Sequence, residues 1–311
     1  MLKSRFGFEI EFTGITKDKA TQIVAVCLNG VVEKTFDGYD TRKIKTSDGR
    51  TWKIVNDSSI TPQRKANGQI VAASNEYKCE LVSPILTYNQ DMDTLQELVR
   101  RLRKGGAFVN SKCGIHIHLD GAPHTPRSIK NFINIIASKN DLFYKALEIE
   151  EARMHYCKKM DQVLVDKVNR KSSMTFKEIE DIWYAGQYSR HNHYNETRYH
   201  FLNLHSFFTN NRTVELRGFN STTHAGKIRS YVVLALALNH QALTQKFASN
   251  KKPQIENEKF AMRTYLNRIG FIGDDFKNCR EHLCDALEGS AAWRFGAKAS
   301  VSMPMMMGVS A

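Results

Sequence analysis

FGFEIEF, residues Phe6 to Phe12, reads as a β-strand, because successive side chains of an extended chain point to opposite faces. Phe6, Phe8, Ile10 and Phe12 share one face and require a core. Gly7, Glu9 and Glu11 share the other face. Two carboxylates spaced i, i+2 repel unless a cation or a wide water layer lies between them. The glycine beside them leaves room for a close neighbour. This strand therefore points to a hard metal ion.

Other stretches share the habit. NEYKCELVS (Asn75 to Ser83) sets Glu76, Lys78, Glu80 and Val82 against Tyr77, Cys79 and Leu81. CGIHIHL puts His116 and His118 on one face with Gly114, opposite Cys113, Ile115, Ile117 and Leu119. TVELRGF, from Thr213, pairs Glu215 with Arg217, opposite Val214 and Leu216. Each piece alone reads more readily as a surface or structurally bonded pair or a cross-strand salt bridge than as a site. Together they describe one antiparallel sheet with an apolar convex face and a concave face of Glu, His and Arg. That face is a poor stability device and suits a ligand of mixed charge. Carboxylates dominate and no cysteine lies among them, which favours Mg²⁺ or Mn²⁺ over Zn²⁺. Magnesium usually brings substrate phosphates, yet the chain has neither a Walker GxxxxGK[ST] nor a GxGxxG cradle. Phosphate would then be held by metal ions and arginines.

The rest of the chain fits a soluble α+β protein. Thr16 can cap a helix to about Leu28, with Gly30 as its stop. Short strands from Val31 to Val55 turn at Asp37-Gly38 and Asp48-Gly49, and TWKIVNDSSI is a strand ending at Asp57. A helix from Asp91 or Asp93 stops at Gly105-Gly106. Residues 126–187 read as a helical insertion, with further helices over Leu142–Lys159 and Thr175–Gln187. RYHFLNL (Arg198 to Leu204) returns to strand. A buried helix from about Lys227 to Phe247 and two amphipathic helices up to Leu287 follow. Residues 1–299 are expected to form one catalytic domain, and the uncharged, Met-rich segment 300–311 to be mobile.

Glu9 and Glu11 interrupt any signal-peptide core, and the longest apolar run, Tyr231 to Leu238, is too short to span a bilayer. Six cysteines without a CxxC are expected to be reduced, mostly buried thiols of a cytoplasmic protein. A net charge of +13, spread along the chain, implies an anionic partner and gives little support to nucleic acid.

FGFEIEF, the D-x-S of Asp57-Ser58-Ser59, CELVSPIL, N-x-x-CGIHIHL, RYHFLNL and TVELRGFNST, in this order, resemble the amidoligase family. These are carboxylate–amine ligases related to glutamine synthetase and glutamate–cysteine ligase. The resemblance runs from about Phe6 to beyond Ser221. It implies a curved, mainly antiparallel sheet of the glutamine synthetase-like kind with helices on its outer face. It also implies an ATP-dependent ligase that forms an amide through an acyl phosphate. Glu9 and Glu11 would bind different metal ions, Glu80 joining Glu11's ion, and His116 with Glu215 completing Glu9's. His118 and Arg217 would face the ATP phosphates, and Arg198 would hold phosphate or the substrate carboxylate. Asp57 would lie at the amine end as proton acceptor, and Glu76 is an additional candidate ligand. The implied partners are a small-molecule or peptide carboxylate, such as a glutamyl group, and an amine. Two other readings stand beside this: a zinc hydrolase built on His116 and His118, and a basic nucleic-acid-binding protein.

Overall fold

A computed structural model describes residues 1–295 except 36, 39, 187–189, 191, 210 and 211. The segment 300–311 lies outside the described residues. Ten strands form among them: β1 (Phe6–Phe12), β2 (Val31–Lys34), β3 (Arg42–Lys45), β4 (Thr51–Val55), β5 (Gln63–Ala66), β6 (Gln69–Ala72), β7 (Cys79–Val82), β8 (Gly114–Asp120), β9 (Leu202–Asn203) and β10 (Thr213–Asn220). Eight of them make one sheet in the order β2-β3-β4-β7-β1-β8-β10-β9, every neighbouring pair antiparallel. β1 is thus an inner strand, flanked by β7 and β8. β5 and β6 form a separate hairpin, turned by Asn67 and Gly68, both at positive φ.

The helices are α1 (Lys17–Leu28), α2 (Tyr88–Lys104), α3 (Pro126–Ala146), α4 (Gln162–Asn169), α5 (Phe176–Tyr184), α6 (His205–Phe208), α7 (Ala225–Thr244), α8 (Glu258–Arg268) and α9 (Lys277–Cys284). Phe6, Phe8, Ile10 and Phe12 are all buried, in one core with Leu81, Ile115, Ile117, Leu119, Val214 and Leu216. α7 is buried around its whole circumference from Ser230 to Asn239, as a helix with neighbours on all sides must be. It packs against β8, α2, α3 and α9. The α+β class and the antiparallel sheet are as expected. Among the described residues no helix is long and apolar enough to cross a membrane, and all six cysteines are free, five of them buried.

Several boundaries differ from expectation. Asn29, not Gly30, takes the left-handed turn after α1, at φ 50°. Helix does not run over Leu142–Lys159: α3 continues to Ala146, and residues 151–153 form a single 3₁₀ turn. RYHFLNL is strand only at Leu202–Asn203, so Arg198 sits on a 3₁₀ turn rather than in the sheet. Residues 75–77 are likewise a 3₁₀ turn. Glu76 is exposed there and does not share the strand face of Glu80.

β10 carries an extra residue. Leu216 pairs with Ile117 but Phe219 with Ile115, so three steps on β10 answer two on β8. Strict alternation would place Phe219 beside Glu215 and Arg217. The bulge returns it to the apolar side. Gly218 marks the spot, since a Cβ there would lie 1.9 Å from the Phe201 ring.

Candidate active site

Register brings the expected residues together. Across β1 and β8, Gly7 is opposite His118 and Glu9 opposite His116. Across β1 and β7, Glu11 is opposite Glu80, and across β10 and β8, Glu215 is opposite His118. Glu9 is the hub of the imidazoles, with Oε2 3.1 Å from His116 Nδ1 and Oε1 3.2 Å from His118 Nε2. His118 Nε2 is not aligned for a hydrogen bond at that distance and is left without one. Its Nδ1 lies 3.3 Å from the Thr213 hydroxyl.

Two clusters could each hold a cation, and they share a member. One oxygen or nitrogen from each of Glu9, Glu80 and His116 lies within 4.8 Å of the others, and the same holds for Glu11, Asp57 and Glu80. Glu80 thus stands between both groups. Asp57 joins the Glu11 side, its Oδ1 accepting the Ser59 N–H at 2.6 Å. Glu215 belongs to neither cluster. Its Oε2 accepts from Asn203 at 2.7 Å and its Oε1 from Arg217 at 2.5 Å, and Oε1 is 3.9 Å from His116 Nδ1.

The electrostatics separate these acids. Burial pushes Glu11 up to about 7, with Asp57 adding to it; the Gly114 N–H, donating at 2.7 Å, and Arg153 and Arg217 oppose the rise. Burial with the charges of Glu9, Glu11 and Asp57 raises Glu80 well above the carboxylate range. Burial acts the same way on Glu9, but the His118 charge and the two imidazole contacts outweigh it and hold its pKa well down. Glu215 is lowered to about 2, because Arg217, His118 and His116 overcome its burial. His118 rises to about 9 against its own burial, through Glu9 and Glu215. His116 falls, from burial and from Arg217. Burial and mutual repulsion favour the neutral forms of Glu11 and Glu80, and a cation between them would reverse that. A donor set of four carboxylates and one imidazole fits a hard divalent cation such as Mg²⁺ or Mn²⁺.

The remaining candidates divide between two cavities. Glu9 and His118 border one of about 480 Å³ with Gly7, Arg5 and Arg212. Glu11, Asp57, His116, Arg198 and Arg217 border another of about 390 Å³. His118 and Arg217, expected to face the same phosphates, therefore open toward different cavities. In the second cavity Arg198 lies against the rings of Tyr194 and Tyr199, at 5.7 and 5.8 Å, and donates to the His193 carbonyl at 3.0 Å. The Nε atoms of Arg198 and Arg217 are buried without partners.

Sequence reading missed several residues here. Lys112 and Tyr156 line the second cavity, and Asn203 holds Glu215. Arg153 is 2% exposed, fills the space above Gly114, and donates from Nη2 to the Arg217 carbonyl at 2.8 Å. Gly114 was the available signal, since a Cβ there would meet the Arg153 guanidinium at 2.5 Å.

Acids, imidazoles and a guanidinium thus gather on one face of an antiparallel sheet, bordered by two cavities. The chain belongs to the amidoligase family: the family described as "putative amidoligase enzyme" matches residues 2–239, most of the chain. It is accordingly an enzyme of the ligase class. No curated protein matches it.

Proposed function

We propose that this ligase joins a carboxylate to an amine at the expense of ATP, through an acyl phosphate, on a glutamine synthetase-like fold. The observation that carries the reading is Glu80 shared by two acidic clusters beside Arg217. A carboxylate resists attack by an amine because its charge repels the nucleophile and oxide does not leave. Transfer of the ATP γ-phosphoryl group to a carboxylate oxygen forms a C–O–P linkage, breaks the bond to the β-phosphate and releases ADP. The amine nitrogen then bonds to the acyl carbon, phosphate leaves with the C–O electrons, and a proton departs from nitrogen.

Mg²⁺ or Mn²⁺ would be held by Glu9, Glu80 and His116 and by Glu11, Glu80 and Asp57, and would supply charge neutralisation for a triphosphate. Arg217, fixed by Glu215, supplies a positive charge to a transferring phosphoryl group. Arg198, clamped by two tyrosines, suits the carboxylate of the acid substrate. Asp57 would also accept the amine proton, through a carboxylate oxygen not bound to the cation. The hydrolase alternative needs His116 and His118 as two open ligands. Of the two, His116 alone joins a possible cation cluster among the described residues, which favours the ligase.

The test is phosphate release from ATP with a panel of glutamyl and other carboxylic acids and amines, with mass spectrometry for the amide. Amide formed in step with ADP supports the reading. Hydrolysis of an amide or ester without ATP, by stoichiometrically zinc-loaded protein, would overturn it.

A further inference from the structure

Away from the charged face, the helical layer holds a cavity of about 580 Å³ where the last turns of α7 and α8 approach the middle of α3. Lys139, Lys251 and Arg268 line it, and among the described residues no Asp or Glu does. Lys139 is the informative member. Its ammonium lies 4.6 Å from the centre of the Tyr265 ring, and Tyr265 is buried with its hydroxyl donating to Gln241 at 2.7 Å. Burial lowers the Lys139 pKa, and the charge that acts on it, Arg268, lowers it further. Asp141 and Glu256 border the adjoining cavity that Lys139 and Arg268 also line, not this one. Asp141, two residues along, is already bonded by Lys159 and Lys252. The C-terminal end of α8 accounts for Arg268, since helix ends attract cations. It does not account for Lys139, inside α3, or for Lys251, in the loop beyond α7. Lys139 is half-buried while Lys251 and Arg268 are exposed, and three cations on one cavity with no acid in its lining favour an anion there.

The geometry points to a second ligand site in this cavity, for a small molecule bearing phosphate groups. Such a ligand carries the multiple negative charge that Lys139, Lys251 and Arg268 lack, and a guanidinium grips phosphate oxygens in pairs. The site is independent of the ligase reading.

Titration calorimetry of the full chain with pyrophosphate, in EDTA so that cation-dependent phosphate binding is silent, tests it. One site is expected, weakened about tenfold or more by Lys139→Met and by Arg268→Met. Methionine keeps an unbranched stem over Tyr265, and an unchanged thermal midpoint verifies folding. Should Lys139→Met fail to fold, Lys251→Met, at an exposed position, carries the same test. Arg217→Met should leave the affinity unchanged. Absence of pyrophosphate binding, binding untouched by the cavity variants, or binding lost in Arg217→Met overturns the site. Citrate binding as tightly as pyrophosphate overturns the phosphate assignment.

Discussion

Glu11 and Glu80 face each other directly across the β1–β7 ladder, both buried, so two acids that repel occupy one cross-strand position. Like charges so placed destabilise a sheet. The repulsion is relieved either by protonation, which both raised pKa values favour, or by a cation between them.

Glu80→Gln should therefore stabilise the cation-free protein, by about 1–3 kcal/mol, while abolishing ligase turnover. Urea unfolding in EDTA and ADP release measure the two effects. A variant that is less stable and still active would remove Glu80 from both proposed clusters.

Above about pH 4.5 the stability of the cation-free protein should fall as pH rises, whereas below it the lowered Glu9 and Glu215 act in the opposite sense. Glu11 loses its proton near 4.5 when unfolded and near 7 when folded, so between these values the folded chain binds more protons. His118, raised to about 9, extends the fall beyond pH 6.5, whereas the lowered His116 opposes it. The Glu11 contribution is isolated by comparison with Glu11→Gln, whose unfolding midpoint in EDTA should decline less from about pH 5 to 7.5. Mg²⁺ at the higher pH should restore the wild type and not the variant.

Arg217→Ala should lower kcat by about 100-fold or more with little change in ATP affinity, because its charge serves the transferring group more than the bound nucleotide. Steady-state kinetics and equilibrium ATP binding separate these. Equal losses in both would make Arg217 a nucleotide-binding residue.

Gly218→Ala should destabilise the protein by about 1–3 kcal/mol, since the added methyl meets the Phe201 ring. The larger consequence is a displaced bulge and hence a displaced Arg217. Phe201→Leu in the same chain should recover part of the stability, as chemical denaturation would reveal.

The inner strands were legible because their two faces differ so sharply. Phe6 to Phe12 announced both a core and an acid-bearing surface, and His116, His118 and Glu215 fell on that surface by period two alone. Reading failed where the chain leaves regular structure. Arg198 and Arg153 come from single 3₁₀ turns, where no periodicity links a residue to the sheet. Glu76 looked like a continuation of the Glu80 face because a turn of three residues mimics alternation. The division into two cavities depends on tertiary packing, which no local pattern carries. The bulge had one sign, Gly218, and a glycine in a strand has several explanations.

Arg153 joins two parts of the molecule that the chain separates widely. It belongs to the segment between α3 and α4, yet its guanidinium caps the carbonyl of Arg217 and also reaches Asn220 at 3.3 Å, on the far side of the bulge. If that segment opens, a buried carbonyl in β10 loses its donor, so opening there and loosening of β10 form one cooperative unit. Amide hydrogen exchange would register this as matched protection in two stretches more than sixty positions apart. The tempo of the active face is then set partly from outside the sheet, by how often a 3₁₀ turn lets go.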